Sequence, residues 1–467
     1  MKQILGVFYW HNPTRFGNLE LVNDLRNQFQ ILLITNMDLS YLKGFCDHYI
    51  VADYHSPDSV IHQVIEYNKH SKIQGMITLS EGAVSLLADC TQKLNLPGNF
   101  PYCARIARNK YMMREKVKEL GLSQPKFYKA SSIKEASAIY QEEFNGGSLF
   151  LKPPCLGGSS FCLRIDSLDQ LKREWDYIFD ESLLRTKGDP LFEEQFKNGE
   201  YFLLMEELLS GTNFLHDQLL GVEFPCFELS VEGFIQGNKT FVYSITDKLL
   251  RNNSKYGEEF LWRMHSRVPV LFKEKLIHYV NIINNGIGAR TGCSHTEFRI
   301  ESGDHHNFDV IYENQYYKIR LIETALRPGG AYMQTALKHA TGFNSIRAMA
   351  LQACGLENDE RIKFRKPGIM INLWAQKEGI VKKLIGLDKI ISLKEKLAFF
   401  HIFDAIGDYT YLPPVASRGM GDVFIIDHDI NLDEISDWEI RLHSDSPYEQ
   451  IEKLFFEVIN NFEAHTE

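Results

Sequence analysis

The stretch Thr291–Tyr332, TGCSHTEFRIESGDHHNFDVIYENQYYKIRLIETALRPGGAY, decides how the chain is read. Two apolar, alternating segments each carry one carboxylate: Glu297 in HTEFRI and Glu323 in IRLIETALR. Successive strand side chains point to opposite faces, so His295, Glu297 and Arg299 share a face, as do Leu321 and Glu323. If the two segments pair as neighbouring strands, both carboxylates aim at one point. Converging carboxylates make a hard-oxygen site suited to Mg²⁺, with phosphate oxygens completing the shell. Arg327 follows Glu323 by four residues and brings a fixed cation with a fork of donors. Pro328-Gly329-Gly330 then ends the strand and lets backbone approach a ligand. The competing reading is plain: acids on strands are usually solvated, and Arg327 can simply pair with one of them.

The chain has 467 residues, which points to two to four domains. Its 44% hydrophobic and 24% charged content is that of a globular protein. A formal net charge of −10 argues against a nucleic-acid partner, which needs clustered basic surface. The eight cysteines are scattered without CxxC spacing, so reduced thiols in the cytoplasm are expected. The first residues, MKQILGVFYWHNPTRFGN, do not read as a signal peptide, and no apolar run approaches membrane-spanning length. His305-His306 occurs without HExxH, which gives little support to zinc.

From the start, strands at Lys2–Tyr9, Ile31–Thr35, Tyr49–Ala52 and Met76–Leu79 alternate with helices at Leu19–Phe29, Pro57–Asn68 and Gly82–Leu94. That order implies a parallel sheet with helices on its faces. GxGxxG is absent from the first turn, so no dinucleotide fingerprint is present. Ligands of such sheets sit beyond the strand C-terminal ends, which makes Thr78–Glu81 one edge of a site. Equally, Glu81 can just favour the start of the next helix.

A basic helix, Asn109–Leu120, has Asn109 as cap, Gly121 as stop and Lys110, Arg114, Lys116 and Lys118 along it. Taken alone it is a solvated face. Capping boxes at Ser132–Glu135 and Ser167–Gln170 start two further helices. Between them, Leu149–Lys152 and Phe161–Ile165 read as strands around Gly157-Gly158-Ser159-Ser160, a tip suited to phosphate. Lys152 stands just before it, yet GxxxxGK[ST] is absent, so this is not a P-loop. Phe227–Phe234 and Thr240–Leu250 look like antiparallel neighbours joined at Gln236-Gly237-Asn238. Leu271–Gly286 is helical, and a helix after Ala331 runs to Cys354 with a break near Gly342. The chain closes with a helix from Ser446-Pro447, whose Ile451, Leu454, Phe455, Val458, Ile459 and Phe462 make a core stripe.

In this order, ARNKYMMREKVKELGLSQPKF, LFLKPPCLGGSSFCLRI, MEELLSG, ELSVEGFI, HTEF and IETALRPGG resemble the ATP-grasp superfamily of ligases. The resemblance spans nearly the whole chain and is greatest to L-amino acid ligases (dipeptide synthetases) and carnosine-synthase-like enzymes. It implies an α/β and α+β multidomain ATP-grasp fold: a parallel α/β domain over 1–108, a small lid domain over 109–204 and an antiparallel-sheet domain over 205–467, β-rich from about 364. It implies ATP and Mg²⁺ as cofactors, with Mn²⁺ as an alternative metal. Lys110 and Lys152 match lysines that hold ATP phosphates, and Gly158, Ser159 and Ser160 match the lid loop over them. Glu206 matches the acid accepting from the adenine amino group, with Leu208 and Leu209 completing that edge. Glu228 resembles the ribose-binding acid, although an insertion-like segment, Thr212–Phe227, precedes it. Lys248 and His265 fall where polar groups face ATP and substrate. Glu297 and Glu323 match the Mg²⁺ ligands, and Arg327 matches the arginine beside the transferred phosphate. Many superfamily members carry ExN on the last metal strand; here Glu323-Thr324-Ala325 lacks that amide, as the amino acid ligase branch commonly does.

The implied chemistry joins a carboxylate to an amine through an acyl phosphate. His265 is open as a general base or as a structural histidine, and Glu81 as a partner for a substrate ammonium group. Two alternatives stand beside this reading: a carboxylase or nucleotide-precursor enzyme using bicarbonate or formate, and an inactive nucleotide-binding protein. Small-molecule substrates are expected, with no nucleic-acid or membrane partner; the assembly is open, a homodimer among the options.

Overall fold

The computed structural model describes residues 2–12, 15–192, 201–209, 227–250, 259–413, 415, 419–435 and 447–467. Residues 212–226 of the insertion-like segment and the Ser446 cap of the last helix lie outside them.

Near the N-terminus, four strands form a parallel sheet in the order His48–Val51, Phe29–Thr35, Gln3–Tyr9, Ile73–Thr78. The strand runs are apolar almost throughout because both faces of a parallel sheet are covered. The first helix ends sooner than its pattern predicts: Phe16–Asn23 is α-helical, Asp24–Asn27 is a 3₁₀ turn, and Phe29 already pairs with Gln3.

Nine antiparallel strands make the main sheet, in the order 310–312, 315–325, 291–302, 227–236, 239–250, 259–264, 368–373, 421–426, 397–402. Of the strands beyond residue 364, Gly368–Leu373, Leu397–Ile402 and Gly421–Ile426 continue this sheet. The terminal extra is a three-stranded sheet of Tyr409–Thr410, Gly379–Ile385 and Glu463–Thr466. Helix Val270–Ile287 packs Phe272, Leu276, Val280 and Ile283 into the apolar layer under the sheet. Helices Met333–Thr341 and Ser345–Ala353 lie between the main sheet and the parallel sheet, separated by Gly342 at φ 70°. Their Leu337, Ile346 and Leu351 share one apolar core with Leu5, Val7 and Leu33 from the N-terminal strands and Met370 and Phe424 from the main sheet. Contact is close enough that a Cβ on Gly75 would stand 2.5 Å from the Ala353 carbonyl.

A third sheet has the order Phe127–Ala130, Leu203–Glu207, Leu149–Lys152, Leu163–Ile165, with helices Ile133–Glu142 and Leu168–Thr186 against it. The Ser132 and Ser167 side chains accept from Glu135 and Gln170 backbone N–H groups, as their capping boxes predict. The buried apolar cluster here draws only on residues between Ala130 and Met205. Two expected boundaries shift. Strand Leu203–Glu207 belongs wholly to this sheet, so 204 cuts it. Helix Lys110–Glu119 packs Met113 and Val117 into the core under the main sheet, so 109 is not the start of the lid core. Phe161 lies in a turn at φ 55°, and the second hairpin strand begins only at Leu163. The last helix spans Glu449–Asn461, with Phe462 just beyond it.

Candidate active site

A cleft of about 790 Å³ opens where the three sheets meet, and its floor is the polar face of the main sheet. Strands Thr291–Ser302 and Gln315–Ala325 pair antiparallel with Glu297 directly opposite Glu323. The neighbouring strand Phe227–Gln236 sets Glu228 opposite Arg299 and Glu232 opposite His295. Beyond it, Lys248 lies opposite Glu228 and then Trp262. Alternation thus lines one face with charge while Leu229, Val231 and Phe298 fill the core on the other.

These charges are tightly ordered. Lys248 donates to Glu259 at 2.7 Å and also to Glu297. Burial would lower its pKa, but Glu259, Glu297 and Glu228 raise it above the ordinary lysine value. His295 bridges Glu232 through Nδ1 and Glu297 through Nε2 at 3.0 Å. Burial would lower the imidazole pKa; Glu232 and Glu297 instead raise it to about 9. Arg299 donates from Nε to Glu228 at 2.9 Å and from Nη1 to the Leu209 carbonyl at 2.7 Å. Burial keeps Glu228 above the usual carboxylate range despite Arg299.

The lysines expected at phosphates flank this floor. Lys110 Nζ is 3.4 Å from Glu323 and donates to the Leu156 carbonyl at 2.6 Å, while its backbone N–H donates to Pro154. Asn109 caps that helix by accepting from the N–H groups of Tyr111 and Met112. Lys152 donates to Glu206 at 2.8 Å. Gly158 and Ser159 both have positive φ, 64° and 51°, and with Ser160 they line the cleft.

Several expected roles change. Glu206 is buried, accepting from Arg114 at 2.7 and 3.1 Å and from Lys152. Burial would raise its pKa, but Arg114 and Lys152 hold it at about 2. Its two oxygens anchor both cations. Leu209 lines the cleft with its carbonyl already committed to Arg299, and Leu208 does not line it. Glu228 is held by Arg299, which occupies the acid expected at a ribose. Lys248 is bound to carboxylates of the floor. His265 is not part of the cleft: it is buried, its carbonyl accepts from the Tyr448 hydroxyl at 2.6 Å, and burial lowers its imidazole pKa to about 3. Its position away from the cleft is that of the structural histidine left open as one of its two readings.

Glu81 does reach the cleft, from the end of strand Ile73–Thr78. It accepts from Arg327 Nε at 2.7 Å and from Arg108 at 3.3 Å. Burial would raise its pKa, but Arg327, Arg108 and Arg15 lower it to about 2. An acid so enclosed by guanidiniums organises them; it is not placed to receive an ammonium group. Arg108 also donates to Asp189 and to the Cys155 carbonyl at 3.0 Å, and so ties the N-terminal sheet to the lid hairpin.

Arg15, Arg108, Arg114, Asp189, Glu232, Glu259 and His295 were not singled out as site residues by sequence reasoning. Two had a usable signal: His295 alternates with Glu297, and Glu232 shares a strand face with Glu228. Among the described residues, no group of three or more His, Cys, Asp or Glu side chains is arranged to hold a metal on protein ligands alone. The seven described cysteines are all free, and no described helix is long and apolar enough to cross a membrane.

This architecture of parallel domain, hairpin lid and antiparallel floor is the ATP-grasp fold. The chain superposes over its whole length on 99% of an L-amino acid ligase from Bacillus licheniformis, with a TM-score of 0.72 and 16% sequence identity. It also superposes, over 91% of its length and 86% of that chain, on the biotin carboxylase domain of a Hydrogenobacter thermophilus 2-oxoglutarate carboxylase. That structure has a TM-score of 0.60 and 11% identity, and holds MgADP, ADP and bicarbonate. In sequence, the chain is similar to the alanine–anticapsin ligase of Bacillus subtilis (strain 168), with 22% identity over 347 residues, 71% of this chain. The match spans 66% of that relative's own length, just under two thirds. No family model matches the chain.

Proposed function

We propose that the chain is an ATP- and Mg²⁺-dependent ligase that joins a carboxylate to an amine, forming an amide such as a dipeptide bond, with release of ADP and phosphate. The observation carrying this reading is the cross-strand pair Glu297–Glu323 on the cleft floor, flanked by Lys110, Lys152 and Arg327. Oxygen-only donors suit Mg²⁺, which retains several waters and takes few protein carboxylates alongside substrate phosphates. Glu297 and Glu323 would hold the metal, and it would supply charge neutralisation on the phosphates. Lys248 and His295 hold the Glu297 carboxyl well below the usual carboxylate range, and Lys110 lies beside Glu323. The similarity to an L-amino acid ligase and to alanine–anticapsin ligase favours amino acids as substrates.

In this reading Lys110 and Lys152 hold phosphate oxygens while the acid's carboxylate attacks the γ-phosphorus and ADP leaves. Arg327, anchored through Nε by Glu81, presents its remaining N–H donors to the anionic oxygens of the acyl phosphate. The amine then attacks the acyl carbon, and phosphate departs. Because the acyl phosphate hydrolyses in water, the Gly157–Ser160 loop would cover it.

The test incubates the purified chain with ATP, Mg²⁺ and pairs of L-amino acids, reading phosphate release and product mass. A product at the summed mass less water supports the reading. Turnover that requires bicarbonate and yields no amide would replace it.

A further inference from the structure

Three guanidiniums converge at the N-terminal side of the cleft, those of Arg15, Arg108 and Arg327. Two carboxylates face them. Glu81 takes Arg327 and one nitrogen of Arg108, and Asp189 takes the other end of Arg108. Lys110 is already matched by Glu323. Arg15 is therefore the cation left over. Its Nη1 donates to the Leu79 carbonyl at 2.9 Å, and among the described residues no carboxylate lies within ion-pair distance. Its Nη2 lies against the turn after Arg327, 3.4 Å from where a Cβ on Gly330 would stand.

A half-buried cation with no carboxylate in ion-pair contact is costly to hold, and a bound anion relieves that cost. Arg15 stands between the end of strand Ile73–Thr78, at the Leu79 carbonyl, and the turn at Gly330, whereas Glu297 and Glu323 lie on the paired floor strands. An anion on Arg15 therefore meets the N-terminal wall of the cleft, not the strands that carry the metal carboxylates. A planar fork of donors fits a carboxylate, which it can grip with two parallel hydrogen bonds.

We propose that Arg15 binds a substrate carboxylate other than the one that is phosphorylated, and so selects substrates that carry a second acid group. This rests on the ligase reading above. The second carboxylate has two sources: the α-carboxylate of the amine partner, or a distal carboxylate on the acid partner.

The experiment uses the full chain loaded with Mg²⁺ and the non-hydrolysable nucleotide AMP-PCP, and measures binding by calorimetry. The probes are the L-amino acids, their α-carboxamides, and the pairs glutamate/glutamine and aspartate/asparagine. In the wild-type chain, at least one acid is expected to bind about tenfold more tightly than its amide, as loss of a charge-assisted pair predicts. Discrimination in the α-carboxamide series that Arg15→Met removes assigns the amine partner; Arg15-dependent discrimination only in the side-chain pairs assigns the acid partner. Arg15→Met should reduce the preference to within about twofold while AMP-PCP affinity stays within about twofold of wild type, and Arg15→Lys should retain part of the preference. Equal binding of acid and amide by the wild-type chain, or a preference that survives Arg15→Met, overturns the proposal. An intact, Arg15-dependent preference without ADP formation from any substrate pair would instead overturn the ligase reading and leave the Arg15 site standing.

Discussion

The two ends of the cleft are charged in opposite senses. On the floor, Glu228, Glu232, Glu259, Glu297 and Glu323 outnumber the permanent cations Lys110, Lys248 and Arg299, and His295 is drawn into its charged form between two of the acids. At the lid and N-terminal edges the balance reverses: Arg114 and Lys152 share Glu206, and Arg108 and Arg327 share Glu81 and Asp189 with Arg15 beside them. One end is short of a cation and the other is short of anions. A Mg²⁺ nucleotide with an anionic substrate would supply both.

That polarity can be broken. The largest effect is expected at Glu323, where Glu323→Gln removes the acid charge facing Glu297 with little change in shape. ATP turnover should fall by about 10³-fold or more, with an unchanged circular dichroism spectrum. Normal ADP production by this variant would end the metal assignment. Next is Arg114→Met, which takes one partner from the buried Glu206. Unfolding free energy by urea titration should drop by about 3 kcal/mol, the cost of breaking a buried ion pair from one side. A loss below about 0.5 kcal/mol would mean Lys152 alone satisfies that acid.

Lys152→Ala sharpens the same contrast, since Glu206 keeps Arg114. The Michaelis constant for ATP should rise about thirtyfold while the melting temperature shifts little. An unchanged ATP dependence would remove Lys152 from the phosphate site. The smallest effect concerns pH at Glu81. Its folded pKa is about 2 against an ordinary 4.5, so its contribution to stability is full above 4.5 and is lost as pH falls towards 2. Glu81→Gln should cost about 1–2 kcal/mol at pH 6, and that difference should shrink steadily in urea titrations at pH 4 and 3. A difference independent of pH would show that packing, not charge, holds Glu81.

The floor was legible in the sequence because strand alternation dictates which side chains share a face. Glu297 and Glu323 needed only the pairing of their strands to meet. Helix caps were legible for the same local reason, as Asn109, Ser132 and Ser167 show. What was hidden lay in ion pairs between residues far apart in the chain. Helix Lys110–Glu119 reads as a solvated basic face, yet Arg114 is fully buried on Glu206, which lies in a different sheet. His265 sits in a polar-looking run, MHSRVP, but its ring is sealed from the cleft. Glu81 stands at the edge that the strand order predicts, but its arginines are not legible beside it, since they come from the first loop, from helix Pro101–Arg108 and from beyond residue 325.

The cluster of apolar side chains beneath the lid hairpin is assembled from that hairpin's own stretch of chain, whereas one face of the N-terminal strands shares its core with the main sheet. Heat should therefore release the hairpin region as a separate cooperative step while the N-terminal and main sheets melt together. Scanning calorimetry would resolve that step, and nucleotide gripped between Lys110 and Lys152 would fuse it with the main transition.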